Sequence, residues 1–178
     1  MTAYAVRYAI VALLLFSLVY FEGFSPLFFL NELQTALTVQ MTQSAVSLFS
    51  LPIRMEDNVL IFKHGMQLFV VNDCNGLAPL LLFWSAVAAF PTTLKTKIPW
   101  LLMGYVLLTM LNLIRIVAVA YGVTLDPQSF GWSHDIAGRY GMGVLTLLLY
   151  WIFTLRVEVI REHEIFLTAR RFLRKEKV

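Results

Sequence analysis

Three side chains in the sequence could together perform acyl transfer: the thiol of Cys74, the guanidinium of Arg115 and the imidazole of His134. A thiolate can attack a carbonyl, an imidazole can move the proton, and a cation can bind the oxyanion or the substrate. Cys74 is the only cysteine in the chain, so it cannot form an intramolecular disulfide. Each residue alone also fits an ordinary role, as a small apolar side chain, a snorkelling arginine or an interfacial histidine. A catalytic role therefore depends on whether the fold brings the three together.

The composition of the chain is that of a membrane protein. Hydrophobic residues make up 59% of the 178 residues, the mean hydropathy is +0.73, and there are 14 phenylalanines. These values lie well above those of an ordinary soluble domain. The sequence contains no zinc-type Cys/His cluster, no Gly-rich phosphate loop and no basic stretch interleaved with aromatic residues. We therefore expect no metal ion, no organic cofactor and no nucleic-acid partner.

Four apolar stretches reach or approach the roughly 20 residues that a helix needs to cross a hydrocarbon core. They cover residues 6–21, 77–94, 99–121 and 136–155. The first is followed by FEGFSP, which is a poor cleavage site, so we expect it to be retained as an anchor. The predicted fold is an all-α polytopic membrane protein with about four transmembrane helices, forming a single integral membrane domain over residues 1–178.

The distribution of basic residues predicts the orientation, because short cytoplasmic loops are enriched in lysine and arginine. With the N-terminus inside, the inner loops and the tail hold ten of the 14 basic residues, while the outer segments hold four basic and seven acidic residues. This bias favours an N-in, C-in topology. Residues 22–76 then form an outer region, and residues 156–178 form a cytoplasmic amphipathic tail on the membrane surface.

The outer region is predicted to contain a helix and a β-hairpin. Residues 27–51 are apolar with interspersed amide and hydroxyl side chains, which suits a helix that lies on the outer surface or packs on the bundle. NVLIFKHGMQLFVV, residues 58–71, is typical of a short hairpin that turns at His64 and Gly65. The hairpin leads directly into the stretch that contains Cys74. We expect His64, and His163 in the tail, to be surface residues.

Cys74 is predicted to lie at the outer start of the second membrane helix. Asp73 or Asn75 can cap that helix, and Gly76 allows another backbone to approach closely. The positive end of the helix dipole favours the thiolate form of a cysteine in this position.

Arg115 is predicted to lie near the same membrane boundary on the third helix. It follows Pro99 by 16 residues, which corresponds to about 24 Å of helix. Asn112 is three residues earlier and shares its helical face. A charged residue at this depth usually faces the bundle interior or a polar cavity, which favours a functional role.

His134 and Asp135 are predicted to open the fourth helix at that same boundary. Gly138 follows one turn later and permits close helix packing. Cys74, Arg115 and His134 thus come from three separate membrane helices, and the topology places all three at one depth on one side of the membrane.

These residues resemble the motifs of the exosortase/archaeosortase family of membrane transpeptidases. The resemblance lies in C-N-G-L at residues 74–77, N-L-I-R at residues 112–115 and H-D-I-A-G at residues 134–138, in this order. It implies that Cys74 is the nucleophile, His134 the proton-transfer residue and Arg115 the stabiliser of the oxyanion or substrate. The supporting residues around them would be Asp73, Asn75, Gly76, Asn112, Asp135 and Gly138.

The resemblance also implies a substrate and a location. Such enzymes act on exported proteins whose C-terminus carries a short motif, a transmembrane helix and a basic tail. The thiolate would cleave near the motif at the outer face of a prokaryotic cell (inner) membrane, hold the protein as a thioester and transfer it to a surface acceptor. Membrane lipid would be the other partner. The chain departs from the family pattern in its small number of spans, in CNG where C-S-G is commoner, and in a second outer cation, Arg139.

Two other functions fit parts of the sequence. In a non-enzymatic assembly subunit of a surface-polymer or protein export system, Arg115 and Asn112 would join helices and Cys74 would be incidental. In a small transporter, Arg115 would contact an anionic substrate. A transporter would need polar residues at the bilayer midplane, and the middles of these stretches are almost entirely apolar.

Overall fold

The protein, in a computed structural model, is mostly helical and carries one small sheet. The structure describes the backbone of residues 2–175 and the side chains of residues 3–136, 138 and 140–158. The side chain of Arg139 and most side chains of the predicted amphipathic tail, residues 156–178, including that of His163, lie outside that description. The helices are α1 (Thr2–Val19), α2 (Phe29–Leu48), α3 (Leu77–Ala89), α4 (Leu94–Leu125), α5 (Phe130–Ser133) and α6 (Met142–Lys175), and the strands are β1 (Ile53–Glu56), β2 (Val59–Phe62) and β3 (Gln67–Phe69).

Helices α1, α3, α4 and α6 pack into a bundle around α3. Its core includes Leu80, Phe83, Leu108 and Phe153, each at most 1% exposed. Gly104 of α4 allows the close approach of α3, because a Cβ at this position would overlap the Phe83 ring. Close van der Waals packing of these side chains stabilises the bundle.

One helix in the described part of the chain, α4, is long and apolar enough to cross a membrane by length and composition. Ala3–Val19 and Leu77–Ala89 are apolar but shorter. Large apolar side chains are exposed on the outer faces of the bundle, among them Leu13, Leu102, Ile114, Leu147 and Trp151. Continuous apolar exposure of this kind is typical of a surface that contacts a membrane or another protein.

The predicted boundaries of the second and third apolar stretches are wrong by several residues. The stretch 77–94 contains the end of α3 at Ala89 and the start of α4 at Leu94. The break falls there because a residue before proline favours extended backbone, which Phe90 adopts ahead of Pro91 (φ −66°, ψ 136°). Pro99 does not start the next helix but lies inside α4, near its beginning.

The fourth apolar stretch also begins differently from the prediction, which placed the helix start at His134 and Asp135. Helical structure starts earlier, at a 3-10 turn over Pro127–Ser129, where Asp126 Oδ1 accepts a hydrogen bond from Gln128 N at 2.9 Å. Helix α5 follows, then a π-helical segment, His134–Gly141, and then α6. The Asp-Pro pair is the capping signal that the sequence analysis missed.

Within the predicted outer region, residues 53–69 form a three-stranded antiparallel sheet in the order β1-β2-β3. Strands β2 and β3 flank the turn at His64 and Gly65, where Gly65 has φ +87°. Strand β1, which the sequence analysis did not predict, pairs with the other side of β2 through a turn at Asp57. The buried face of the sheet packs on α2 and the C-terminal half of α4 in a second core, which includes Ile53, Leu60, Phe62, Val70, Ile116 and Val123.

The tip of the sheet is attached to α4. His64 Nε2 lies 3.2 Å from the Val123 carbonyl oxygen, and its ring stacks on Phe62 at a centroid distance of 5.5 Å. The sheet is therefore held on the same end of the bundle as the chain segment that contains Cys74.

Candidate active site

Cys74 ends a 3-10 turn, Asn72–Cys74, that connects β3 to α3. Gly76 is the last residue before α3 and has φ +78°, a conformation that favours glycine. A Cβ on Gly76 would lie 2.9 Å from Asn112 Cγ, which is too close for an ordinary contact. The glycine is thus required both for the turn and for the approach of α4 to the segment 72–76, which we call the Cys loop.

Asn112 connects the Cys loop to Arg115. Its Nδ2 donates to the Cys74 carbonyl oxygen at 3.0 Å, and its Oδ1 accepts from Arg115 Nη1 at 3.0 Å. The Asn112 side chain is only 1% exposed, so both bonds are protected from water and hold their geometry well. This one amide fixes the Cys74 backbone and the guanidinium relative to each other.

The Arg115 guanidinium lies against the π-helical segment. A Cβ on Gly138 would be 3.3 Å from Arg115 Nε, so a larger residue would press on the guanidinium. Nε is buried and has no hydrogen-bond partner among the described residues. A buried donor without a partner costs about 1–3 kcal/mol. Nε therefore remains an unsatisfied donor in the described structure, while the guanidinium as a whole borders the cavity that also contains Cys74.

His134 begins the π-helical segment and is half-buried. Its Nδ1 lies 3.5 Å from Asp135 Oδ1, and its ring packs on Phe130 at a centroid distance of 5.2 Å. Asp135 itself is exposed. π-helical turns are rare and occur often at functional sites, where the extra residue per turn redirects a side chain.

Cys74, Arg115 and His134 line one cavity of about 270 Å³. The other lining residues are mostly apolar and belong to the sheet and the residue that follows it, to the C-terminal half of α4, and to α5. They are Leu60, Gln67, Leu68, Phe69, Val70, Ile116, Val119, Ala120 and Phe130. The structure therefore places a thiol, an imidazole and a guanidinium at a single, mainly apolar cavity, which is where thiolate acyl transfer would need them.

Asn75 is turned away from this cavity and toward α2. Its Nδ2 lies 2.6 Å from Asn31 Oδ1 and 2.8 Å from Thr35 Oγ1, and its Oδ1 accepts from Leu77 N at 2.8 Å. The last contact satisfies one of the first N–H groups of α3. Of the two residues expected to cap that helix, Asn75 makes the contact.

The carbonyl of Asn75 is also bound by α2. Gln34 Nε2 donates to it at 3.3 Å and Thr38 Oγ1 at 3.4 Å, while Tyr105 OH donates to Gln34 Oε1 at 3.1 Å. These positioning residues were not predicted from the sequence. The signal was present, because Asn31, Gln34, Thr35 and Thr38 are spaced by three or four residues and so share one helical face.

Asp73, the other expected cap, is exposed and accepts a hydrogen bond from Tyr20 OH at 3.2 Å. It therefore joins the Cys loop to the end of α1. Together with the α2 and α4 contacts, this bond means that the Cys loop is attached to three helices besides the one that it starts.

A larger cavity, of about 680 Å³, lies at the opposite end of the bundle and includes Arg7, Lys97 and Glu158. It contains none of the predicted catalytic residues, so its size does not make it the active site. In the described part of the chain, no group of three or more His, Cys, Asp or Glu side chains could hold a metal ion.

Comparison with protein families gives one match. The family model described as Transmembrane exosortase (Exosortase_EpsH) matches residues 2–151 of the chain. The match includes the Cys loop, α4 and the π-helical segment. No curated protein and no solved structure matches the chain.

Proposed function

The chain belongs to the transmembrane exosortase family, and from this we propose that it is a membrane-embedded cysteine transpeptidase or endopeptidase. Its substrates are exported proteins whose C-terminal sorting signal consists of a short motif, a transmembrane helix and a basic tail. It cleaves them near the motif and transfers them to an acceptor at the cell surface. The observation that carries the proposal is the shared cavity of Cys74, Arg115 and His134.

In the first half of the reaction, His134 takes the Sγ proton of Cys74, and the thiolate attacks the scissile carbonyl carbon. The oxyanion accepts a hydrogen bond from the Arg115 guanidinium, which lines the same cavity as Cys74. The C–N bond then breaks, and the leaving amine takes the proton from His134. The part of the substrate on the N-terminal side of the cleaved bond remains as a thioester on Cys74.

In the second half, a nucleophile of the acceptor, or water, attacks the thioester carbonyl and gives its proton to His134. The C–S bond breaks, and the thiolate is regenerated and reprotonated. Asn112 acts as a positioning residue in both halves, because it holds the Cys74 carbonyl and the guanidinium through one amide. No metal or organic cofactor takes part in these steps.

In the proposed topology, the protein is a single multi-pass domain with its N- and C-termini inside. The four crossings are α1, α3, α4 and the helix that starts at Phe130 and continues through α6, while α2 and the sheet lie outside. Helix α3 has 13 residues, or about 20 Å, which is short against a hydrocarbon core of about 30 Å. Because α3 is short, the Cys loop would lie at the outer boundary or up to about 10 Å inside it, close to where the transmembrane helix of a substrate would hold the scissile bond.

Trapping of the acyl intermediate tests this function. The protein is co-expressed with secreted reporters. Each reporter carries the C-terminal transmembrane helix and basic tail of one host protein that ends in such a sorting signal. We expect mass spectrometry to show a hydroxylamine-sensitive adduct on Cys74, and Cys74→Ala to lose both adduct and processing. Complete alkylation of Cys74 by iodoacetamide should abolish processing as well. If Cys74→Ala processes the reporters normally, the protein is not a cysteine transpeptidase, and a role as an assembly subunit becomes the better explanation.

A further inference from the structure

Strand β3 is an edge of the sheet and forms part of the wall of the active-site cavity. The strand order β1-β2-β3 leaves one side of β3 without a neighbouring strand in the described sheet. Four consecutive residues, Gln67 to Val70, line the cavity that contains Cys74. The strand therefore runs along the cavity rather than meeting it at one point, and five residues after Phe69 the chain reaches Cys74 itself.

The hydrogen-bond pattern shows which main-chain groups of β3 face its open side. Val70 N donates to the Asn58 carbonyl oxygen at 2.8 Å, and Phe62 N donates to that of Met66 at 3.0 Å. Hydrogen-bonded pairs alternate with non-bonded pairs in an antiparallel ladder. In the register that pairs Leu60 with Leu68, the main-chain groups of Leu68 thus point to β2.

By the same alternation, the N–H and C=O groups of Gln67 and Phe69 point away from β2. An edge of this kind is a template for an additional strand. Proteins often bind extended peptides in this way, since main-chain hydrogen bonds supply affinity and neighbouring pockets supply selectivity.

The walls of the cavity fit an extended peptide with apolar side chains. Leu60, Leu68, Ile116, Val119 and Phe130 are apolar, and the polar groups are concentrated at Gln67, Cys74, Arg115 and His134. The volume of about 270 Å³ is at the lower limit of the roughly 300–1,000 Å³ typical of pockets for small organic ligands. A few residues of extended chain suit this space, with one apolar side chain inside and a carbonyl near Arg115.

We propose that β3 binds the recognition segment of the substrate as a fourth strand, through the main-chain groups of Gln67 and Phe69, and so presents the scissile carbonyl to Cys74. The proposal rests on the function proposed above and specifies how that site recognises its substrate. Sequence selectivity then comes from the apolar pocket beneath the added strand, while the main-chain bonds are independent of the substrate sequence.

Proline substitution tests the proposal, because it removes an N–H group. Gln67 is the first residue of β3, a position where proline is tolerated in strands, and its N–H does not bond to β2. We expect Gln67→Pro to lower kcat/KM for the processed reporters about tenfold, mainly through KM, as expected for loss of a main-chain hydrogen bond. Gln67→Ala keeps the N–H and removes only the side chain, so it should lower kcat/KM clearly less than Gln67→Pro does.

Met55→Pro is the matched control on the opposite edge. Since Leu60 bonds to β3, the alternation along β2 makes the groups of Met55, its partner in β1, point to the outer side of the sheet. Met55→Pro should leave kcat/KM unchanged. For all variants, the melting temperature in detergent and the rate of Cys74 alkylation by iodoacetamide report whether the fold and the thiol are intact.

The occupant of the edge is identified by photo-crosslinking from position 67 in the full-length Cys74→Ala protein, with the same reporters. We expect a crosslink to reporter residues just before its transmembrane helix. If Gln67→Pro, with an intact fold, processes reporters as the wild type does, or if position 67 crosslinks only a second copy of this chain, the strand-addition proposal is wrong while the transpeptidase function stands. If the wild type processes no reporter, or Cys74→Ala processes them, both proposals fail.

Discussion

At the scale of single residues, the proposed chemistry depends most on Arg115. The guanidinium is tied to Asn112 by Nη1, packs against Gly138, and keeps Nε buried without a partner within the described structure. One donor of the rigid plane is therefore held by Asn112, and other donors of the same plane are left for a substrate. Lysine carries the same charge but has no planar fork, so it cannot bind Asn112 and an oxyanion together in this geometry.

We therefore predict that Arg115→Lys lowers the kcat of reporter processing by about 100-fold or more, which is typical for loss of an oxyanion donor. Arg54→Lys is the control, since Arg54 is exposed and only pairs weakly with Glu56 at 3.9 Å. It should process at the wild-type rate. Near-normal turnover by Arg115→Lys would show that Arg115 acts as a point charge or in packing alone.

The residue scale also shows what sequence motifs can and cannot indicate. The three motifs contain three of the residues that line the cavity, Cys74, Arg115 and His134, and the family that they suggested is confirmed by the match over residues 2–151. The position after Cys74 was different. In the sequence, Asn75 is a departure from the commoner family motif. In the structure its side chain points to α2 and bonds to Asn31, which is 44 residues earlier in the chain.

At the scale of elements, α2 is the main addition that the structure makes. Its buried polar face binds the Cys loop through side chains, and Thr42 extends that face at 0% exposure. An isolated helix on a membrane surface would point such residues to water. Their burial against Asn75 shows that α2 packs on the bundle, which is one of the two arrangements that the sequence left open.

A matched pair of substitutions on α2 tests its positioning role. Gln34 is 6% exposed and bonds to the Asn75 carbonyl and to Tyr105, whereas Gln40 is exposed. We predict that Gln34→Ala lowers the melting temperature in detergent and lowers processing about tenfold. Tyr105 OH loses its acceptor and the Asn75 carbonyl keeps only the longer bond from Thr38, at a cost of about 1–3 kcal/mol.

Gln40→Ala makes the same chemical change on the exposed face and should alter neither quantity. Equal melting temperatures and equal processing rates for the two variants would mean that the α2 contacts do not position the Cys loop. A loss of stability in Gln34→Ala without any loss of processing would limit α2 to a structural role.

At the scale of the whole molecule, the bundle and the sheet form two cores that meet at the active-site cavity. Ile116 belongs to the core of the sheet, Leu108 belongs to the core of the bundle, and both lie on α4 on either side of Asn112. Helix α4 thus runs through both cores. In the proposed topology the cavity lies where α4 leaves the membrane.

Cysteine accessibility on intact cells tests that topology. In a Cys74→Ala background, we predict that a membrane-impermeant maleimide labels Lys63→Cys, in the exposed turn between β2 and β3, and does not label Lys95→Cys, in the exposed first turn of α4. Permeabilised cells, in which both positions should react, provide the control. Labelling of position 95 alone would show that the topology is the reverse of the proposed one, with Cys74 on the cytoplasmic side.

The sequence by itself determined the membrane character, the family and the residues of the candidate site. Hydropathy is a sum over neighbouring residues, and three short motifs in fixed order are a property of the linear chain, so neither requires a fold. Helix ends were predicted less well, because Pro99 resembled a helix start and the Asp126 cap was overlooked.

Only the tertiary structure decided which side chains share the cavity and which hold it in place. The direction of Asn75, the bridge through Asn112 and the open edge of β3 depend on how helices rotate and strands pair. The same holds for Arg115 Nε, which has no partner among the described residues. The bond from Asn75 to Asn31 and the bond from Asn112 to Cys74 join residues 44 and 38 positions apart, and no local pattern specifies them. Packing fixes them, because each helix must bury its own face against a neighbour before any polar group on it finds a partner.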